Sequence, residues 1–107
     1  MSIEHTTKMQ KIIAALYQRD CGGTVFWKQD SHIESLFYTE IAGFRLNIQE
    51  YNGSIIFSII DSTYAIIDRT DSAYQSHPAL PKLYAQVRYR VLNIEKQIDE
   101  LLAYLEK

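Results

Sequence analysis

The stretch FRLNIQEYNGSIIFSII, residues 44–60, decides the fold of this chain. Its first half alternates apolar and polar residues, which is the period-two pattern of a strand with one buried face. Asn52-Gly53 in its middle is the strongest short hairpin signal, because a type I′ turn needs positive φ at both central residues. We therefore predict an antiparallel hairpin whose strands are Phe44–Gln49 and Ile55–Ile60.

Further β-forming segments lie on both sides of this hairpin, and helical patterns lie at both ends of the chain. An apolar stripe at helical spacing, ended by Cys21-Gly22-Gly23, predicts an N-terminal helix. A polar segment, Thr70–Ser76, is expected to form the loop before a long C-terminal helix that ends near Leu105. The five predicted strands are, in chain order, Thr24–Gln29, Ile33–Glu40, Phe44–Gln49, Ile55–Ile60 and Tyr64–Asp68.

The predicted fold class is α+β, with an N-terminal helix, a five-stranded antiparallel β-meander and a long C-terminal helix packed on one sheet face. Because 107 residues leave room for one hydrophobic core, residues 1–107 are expected to form a single domain. Hydrophobic residues make up 47% and charged residues 22%, which is a globular rather than a disordered composition.

The charge and cysteine content limit the classes of partner and compartment. The net charge is −2, which gives no electrostatic attraction to duplex DNA or to an anionic membrane. The single cysteine, Cys21, cannot form an intrachain disulfide, and the N-terminus carries no secretory signal pattern. The apolar run Ile55–Ile60 is far shorter than the roughly 20 residues that span a bilayer. We therefore expect a protein of the bacterial cytoplasm that does not insert into membranes.

The C-terminal segment carries an apolar heptad seam with spacings that alternate between four and three residues. A helix of about 26 residues is roughly 39 Å long, whereas five strands side by side span only about 20–24 Å. The sheet therefore cannot cover the whole predicted helix, and part of the seam must pack on the first helix or on another chain. The predicted interface residues on this seam are Tyr84, Val87, Val91, Ile94, Ile98, Leu101 and Leu105.

The charges of the same helix favour an antiparallel neighbour. Basic residues, including Arg88 and Arg90, lie in its first half, and acidic residues, including Asp99 and Glu100, dominate its second half. This order is unfavourable for the dipole of one helix, which prefers acids first and bases last. Three alternatives stay open: the seam is core, it forms an antiparallel homodimer, or it fits a different protein.

The face of the sheet that the helices leave open carries a second candidate surface. Strand Ile55–Ile60 is apolar on both faces, and an exposed apolar patch marks a binding site or an interface. Aromatic side chains there could stack single-stranded bases, although the net charge opposes a phosphate-dominated site. The candidate residues for a small ligand, a nucleic acid or a partner are Tyr38, Tyr51, Ile56, Ile60 and Arg69.

Catalytic signals are weak. A small enzyme using Asp68, Arg69 and Asp71 is the third hypothesis, with a carboxylate as acid or base and Arg69 as an anion clamp, while ordinary turn chemistry explains the same residues. His5, His32 and His77 lack the spacing of metal ligands, and no Gly-rich phosphate loop or nucleophile motif is present. We therefore assign no catalytic residue, no metal site and no cofactor.

The residues Leu83-Tyr84, Arg88, Leu92 and Ile98-Asp99-Glu100-Leu101-Leu102 resemble the C-terminal part of small bacterial α+β proteins of no established activity. This resemblance covers about a quarter of the chain and implies a bacterial or phage origin. The predicted function is a small non-catalytic protein–protein interaction domain, a homodimer or an accessory or inhibitor subunit of a bacterial or phage system.

Overall fold

Three helices and five strands make up the structure, a computed structural model that describes residues 3–72 and 79–107. Helix α1 comes first, the five strands follow, and two helices end the chain. The elements are α1 (Ile3–Cys21), β1 (Lys28–Gln29), β2 (Leu36–Ile41), β3 (Phe44–Tyr51), β4 (Ser54–Ile60), β5 (Ile66–Asp71), α2 (Ala79–Val91) and α3 (Ile94–Leu105).

The strands form one sheet in the order β1-β2-β3-β4-β5, and every neighbouring pair is antiparallel. The predicted α+β class and the five-stranded antiparallel meander are therefore confirmed. Asn52 and Gly53 have φ values of 50° and 81°, as a type I′ turn requires, and they join the paired residues Tyr51 and Ser54. The β3–β4 hairpin on which the prediction was built is correct.

The core lies between one face of the sheet and the two helices α1 and α2. Its central side chains come from α1, from the sheet and from α2, and the ring of Phe37 contacts that of Tyr84 edge to face at 5.8 Å between centroids. Burying one large apolar side chain contributes about 1.5–3 kcal/mol, so these residues account for most of the stabilisation of the fold. The fully buried ones are Ile13, Phe37, Ile48, Phe57, Leu80, Leu83 and Val87.

The first two strands are shorter than predicted, for local reasons. The predicted strand Thr24–Gln29 is reduced to β1, because the hydroxyl and the backbone N–H of Thr24 both donate to the carbonyl of Arg19 and hold the chain against the end of α1. The predicted strand Ile33–Glu40 begins only at Leu36. Before it, the Asp30 carboxylate accepts hydrogen bonds from two backbone N–H groups, those of His32 and Ile33, and makes a turn.

The fifth strand begins and ends later than the predicted Tyr64–Asp68. The Asp61 carboxylate accepts hydrogen bonds from the hydroxyl and N–H of Thr63 and from the N–H of Ala65, so a turn occupies this region. Tyr64 within it has a φ of 66°, which no strand residue adopts. Thr70 and Asp71, predicted as loop, belong to β5, and the rest of that predicted loop from residue 73 onward lies outside the described residues.

The single long C-terminal helix of the prediction is wrong, because two helices replace it. Helix α2 ends at Val91 and α3 begins at Ile94. Between them Asn93 adopts the left-handed conformation, with φ 51° and ψ 46°. Neither of these helices, nor α1, is long and apolar enough to cross a bilayer, as far as the described residues extend.

Candidate interaction surfaces

The turn between α2 and α3 is held by hydrogen bonds on both sides. The N–H of Leu92 donates to the carbonyl of Arg88 at 3.1 Å, and the N–H of Asn93 donates to that of Arg90 at 3.1 Å. The carbonyl of Asn93 in turn accepts the N–H of Gln97 at 3.0 Å, and the Gln97 side chain donates to the carbonyl of Leu92. Asparagine tolerates the left-handed region better than other non-glycine residues. The turn is therefore a defined, hydrogen-bonded element rather than a frayed helix end.

Beyond this turn, α3 exposes an apolar stripe. Its 12 residues make a helix about 18 Å long, and none of them is buried. The aliphatic side chains at positions 98, 101, 102 and 105 are 53–67% exposed and lie on one side of the helix at i, i+3, i+4 and i+7 spacing. The molecule is 58 Å long and 28 Å across, so α3 forms an arm on a smaller body. We call Ile98, Leu101, Leu102 and Leu105 the arm stripe.

The predicted interface residues divide at the turn. Tyr84 and Val87 are buried in the core of their own chain, so the structure places them where no partner can reach. Val91 and Ile94 are half-buried beside the turn. The remaining three, Ile98, Leu101 and Leu105, are exposed on the arm. The first of the three alternatives, that the seam belongs to the core of its own chain, therefore holds only for the half of the seam that lies on α2.

A cavity of about 620 Å³ lies at the base of the arm, between α2 and the edge of the sheet. Its lining is charged and aromatic, with Glu34, Glu50, Arg88 and Tyr84 among its residues. The Tyr84 hydroxyl donates to the carbonyl of Ser35 at 3.1 Å. Burial raises the pKa of Tyr84, Glu50 raises it further, and Arg88 lowers it, so the phenol stays protonated at neutral pH. This hydroxyl fixes α2 against the start of β2.

A second cavity, of about 360 Å³, is an apolar groove between α1 and the far end of the sheet. We call it the α1 groove and define it by Ile12, Ala15, Ile41, Phe44 and Ile67. The side chains at positions 12, 44 and 67 are more than a third exposed, although they are large and apolar. No sequence pattern predicts this groove, because the residues that define it come from four elements that only the fold brings together.

The open face of the sheet carries the five candidate ligand-face residues together. One row across the sheet contains Tyr38, Asn47, Ser58 and Arg69. Ile56 and Ile60 lie in the two adjacent rows, and Tyr51 lies one row beyond Ile56. This face mixes polar and apolar side chains, so it is not the continuous apolar patch that the strand pattern predicted.

The Tyr38 ring is already occupied by the chain itself. The guanidinium carbon of Arg45 lies 4.0 Å from the ring centroid, a cation–π contact. Arg45 is held in place by a 2.9 Å hydrogen bond from its Nε to Asn47 Oδ1 and by Asp30, 3.9 Å away. A base could therefore stack on Tyr38 only after displacing Arg45, which weighs against nucleic-acid binding on this face.

The charged residues of β5 alternate between the two faces of the strand. Asp68 pairs with the buried Ile59, whereas Arg69 pairs with Ser58 on the open face. Asp71 lies on the same face as Arg69, two residues further along. The strand thus separates Asp68 from the other two residues of the proposed catalytic set.

Metal-ligand chemistry is not seen in the part of the chain that the structure describes. No three or more His, Cys, Asp or Glu side chains there are arranged to hold a metal ion. His32 takes part in the Asp30 turn through its backbone, while His77 and the side chain of His5 lie outside the description.

A buried carboxylate that the sequence did not reveal joins α1 to α2. Asp20 has no exposed surface, and Arg90 Nη1 lies 3.6 Å from its Oδ1. Arg90 also donates to the backbone carbonyls of Asp20 and Cys21, the latter at 3.2 Å. Burial raises the pKa of Asp20, while Arg90 and, more weakly, Gln86 and Trp27 act against that shift. This contact fixes the end of α2 one turn before Asn93.

Comparisons of the chain with protein-family models, with curated proteins and with solved structures found no match. The resemblance of the C-terminal segment to small bacterial proteins therefore stays a prediction. The surfaces from which function can be argued are the arm stripe, the α1 groove, the cavity at the base of the arm and the open face of the sheet.

Proposed function

We propose that this chain is a non-catalytic protein–protein interaction domain that associates with a second copy of itself through α3. The observation that carries the proposal is the arm stripe, whose four aliphatic side chains are each more than half exposed. A helix apolar on one side and unpartnered on that side is the form in which a protein presents a docking helix.

The size of the stripe supports an interface. Four aliphatic side chains exposed by just over half offer on the order of 400 Å² of apolar surface, worth roughly 10 kcal/mol at about 25 cal/mol per Å² before the costs of association. The largest apolar patch on a typical monomer is of this size, roughly 300–600 Å², and is often a functional surface. Covering this stripe with another protein surface would therefore offset much of the cost of association.

Charge distribution favours a second copy as the occupant. The segment from α3 to the C-terminus carries more acidic than basic residues, with Glu95, Asp99, Glu100 and Glu106 against Lys96 and Lys107. The helices α1 and α2 carry six basic residues against Glu4 and the buried Asp20: Lys8, Lys11, Arg19, Lys82, Arg88 and Arg90. An acidic arm laid on the basic helical layer of another copy would therefore be attracted to it.

Light scattering on a sizing column tests this proposal with wild type, Ile98→Lys and the control Ala103→Lys. Both variants add one lysine to an exposed position of α3, but Ala103 lies on the opposite side of the helix from the stripe. We expect wild type and Ala103→Lys at about twice the 12.5 kDa chain mass and Ile98→Lys as a folded monomer. The three proteins should share one far-UV spectrum.

Two results would contradict the proposal. A wild-type chain that stays monomeric at several hundred micromolar rules out self-association. A dimer that Ile98→Lys leaves as stable as wild type places the interface elsewhere. Because no residue of α3 is in the core, a loss of dimer in Ile98→Lys cannot be ascribed to unfolding of the body if the melting curve of the monomer is unchanged.

The other predicted functions have weaker support. Binding of single-stranded nucleic acid on the open face is left with Tyr51 as the uncovered aromatic residue of the candidate set, because Arg45 covers the Tyr38 ring. A small enzyme needs a set of residues that β5 separates. The accessory or inhibitor role replaces the second copy with a different protein on the same stripe. A monomeric wild type would direct attention to that role.

A further inference from the structure

Pairing of the arm stripe with a second arm would cover only one of the two exposed apolar surfaces of this chain. Such a pair would bury about 400 Å² of apolar surface on each chain. The large apolar side chains of the α1 groove, which are 38–52% exposed at positions 12, 44 and 67, would stay in solvent. An occupant that covers the stripe and the groove together would therefore bury more apolar surface than arm-to-arm pairing.

The α1 groove is an apolar surface of suitable character on the same chain. Its cavity of about 360 Å³ is lined almost entirely by apolar side chains and lies open to solvent beside α1. Ile12 and Ala15 on α1 form one wall, and Phe44 and Ile67 from the sheet form the other. An aliphatic helix side laid between these walls would cover side chains that are otherwise partly exposed.

The charges beside the groove match those beside the stripe in spacing. On α1, the row of side chains that contains Ile12 and Ala15 also contains Lys8 and Arg19. Lys8 and Arg19 are 11 residues apart, which is about 16.5 Å along a helix. Glu95 and Glu106 lie on one flank of the arm stripe and are also 11 residues apart. All four side chains are exposed. An arm that runs antiparallel to α1 therefore brings Glu95 to Arg19 and Glu106 to Lys8 at the same time.

We propose that α3 of each chain binds in the α1 groove of a second copy, so that the two chains exchange arms reciprocally. This inference rests on the proposed function and names the surface on the partner. Each chain then contributes one stripe and one groove, so the exchange covers both apolar surfaces of each chain, whereas arm-to-arm pairing covers one. The 58 Å by 28 Å outline suits this arrangement, since antiparallel chains side by side place each arm against the other body.

Two adjacent isoleucines on β5 provide a matched test of the groove. Ile67 lines the groove and is 52% exposed, whereas Ile66 is 62% exposed and pairs with Ile60 of the open face. We expect Ile67→Lys to weaken the dimer at least tenfold, because each substitution disrupts both contacts of the symmetric dimer. Ile66→Lys should change the dissociation constant less than twofold. Analytical ultracentrifugation measures both, and thermal unfolding of each variant checks that the body is folded.

A mixing experiment tests the exchange itself. Ile98→Lys has a disrupted arm and an intact groove, and Ile67→Lys has the reverse, so each variant alone retains no intact contact. Once a substitution on one chain has disrupted a contact, a second substitution on the other side of the same contact causes little further loss of affinity. The mixed dimer therefore keeps one intact contact, and we expect a mixture to form heterodimers at least tenfold more stable than either homodimer.

The outcomes separate the two proposals. If wild type is a dimer and Ile98→Lys is a monomer, but Ile67→Lys behaves like Ile66→Lys, the arm is an interface and the groove is not its site. If the mixture of the two variants shows no heterodimer, the exchange is overturned while self-association stands. If wild type itself is monomeric, both proposals fall.

Discussion

Helices α2 and α3 share one heptad pattern, yet the side chains of α2 lie in the core and those of α3 lie in solvent. Leu80, Leu83 and Val87 have no exposed surface, whereas Ile98 and Leu101 are more than half exposed. Spacing alone does not separate the two helices, because both have apolar residues at every third or fourth position. What separates them is the left-handed residue between them, Asn93, which turns α3 off the sheet. An apolar helical stripe therefore predicts a surface that packs against other residues, but it does not distinguish packing within the same chain from packing against a second chain.

The charges of the two helices agree with the break. Arg88 and Arg90 lie in the last turn of α2, and Glu95 lies in the first turn of α3. For one continuous helix these residues are in mid-helix, and the basic-to-acidic order opposes the dipole. For two helices each lies at the end that its charge stabilises, by about 0.3–1 kcal/mol. The chain's own helix ends thus account for Arg88, Arg90 and Glu95, whereas Asp99, Glu100 and Glu106 lie beyond the first turn of α3 and still favour a basic neighbour.

The largest expected contrast is between Leu80→Ala in α2 and Leu101→Ala in α3. Leu80 is fully buried, so its truncation leaves a cavity and should lower the free energy of unfolding by about 2–5 kcal/mol. Leu101 is exposed, and its truncation in the monomer should change that free energy by less than about 0.5 kcal/mol. Urea unfolding at a protein concentration where the chain is monomeric measures both.

The same pair sharpens the comparison when the concentration is raised. If the proposed dimer forms, wild type should gain stability as the concentration rises. Leu101→Ala removes part of the proposed interface and should gain less. Equal large losses for both variants in the monomer would mean that α3 belongs to the core of its own chain, and the contrast between the two helices would fail.

An intermediate effect is expected at the turn itself. A β-branched residue pays about 1–2 kcal/mol in the left-handed region, so Asn93→Val should destabilise the chain by that amount or extend α2 into α3. Asn93→Gly is the matched control, since glycine adopts this conformation freely and should leave stability within a few tenths of a kcal/mol. Denaturant unfolding gives the energies and small-angle scattering gives the shape. A valine variant with the stability and shape of the glycine variant would contradict the turn.

The smallest effect at neutral pH is expected for Asp20→Asn, because removing a buried charge offsets the loss of its attraction to Arg90. The informative measurement is the pH dependence. The pKa of Asp20 is raised by burial above its usual 3.8, so as pH rises the unfolded chain loses this proton before the folded chain does. Asp20 therefore lowers the free energy of unfolding from about pH 3.8 up to its raised pKa, and the loss persists above it.

In the Asp20→Asn variant this decline should be absent, so that the two curves diverge across that pH window. Acidic groups held in turns act in the opposite direction, since backbone N–H groups lower the pKa of Asp30 and the Thr63 hydroxyl lowers that of Asp61. The difference between wild type and variant isolates Asp20 from these groups. A wild-type curve parallel to that of the variant would mean that the carboxylate is not buried.

The sequence predicted those parts of the fold that short-range patterns specify. The hairpin at Asn52-Gly53 was correct because its turn chemistry and its strand alternation agree. Strand ends were less accurate at Asp30 and Asp61, where a carboxylate captures backbone N–H groups that a strand would otherwise use. The helix break was missed because Asn93 is compatible with a helix interior, and only its position between opposite charges marked it.

The candidate sites depended more on tertiary structure. Three of the seven seam residues predicted as interface, Ile98, Leu101 and Leu105, lie exposed on the arm, but the same spacing also selected Tyr84 and Val87, which are buried. The α1 groove and the buried Asp20 could not be found, because each joins residues far apart in the chain. Occupation of the Tyr38 ring by Arg45 likewise follows from a cross-strand register that no local pattern encodes.

The two edges of the sheet also bear on how copies of this chain can meet. One edge, β1, is only two residues long, and the other, β5, carries Asp68, Arg69 and Asp71. Short edges and charged edges are the means by which native proteins prevent a foreign strand from pairing with their own. The proposed reciprocal contact through the helical layer would close at two chains, whereas strand addition would continue without limit. Concentrated solutions of this chain should therefore stop at a discrete assembly and not bind thioflavin T.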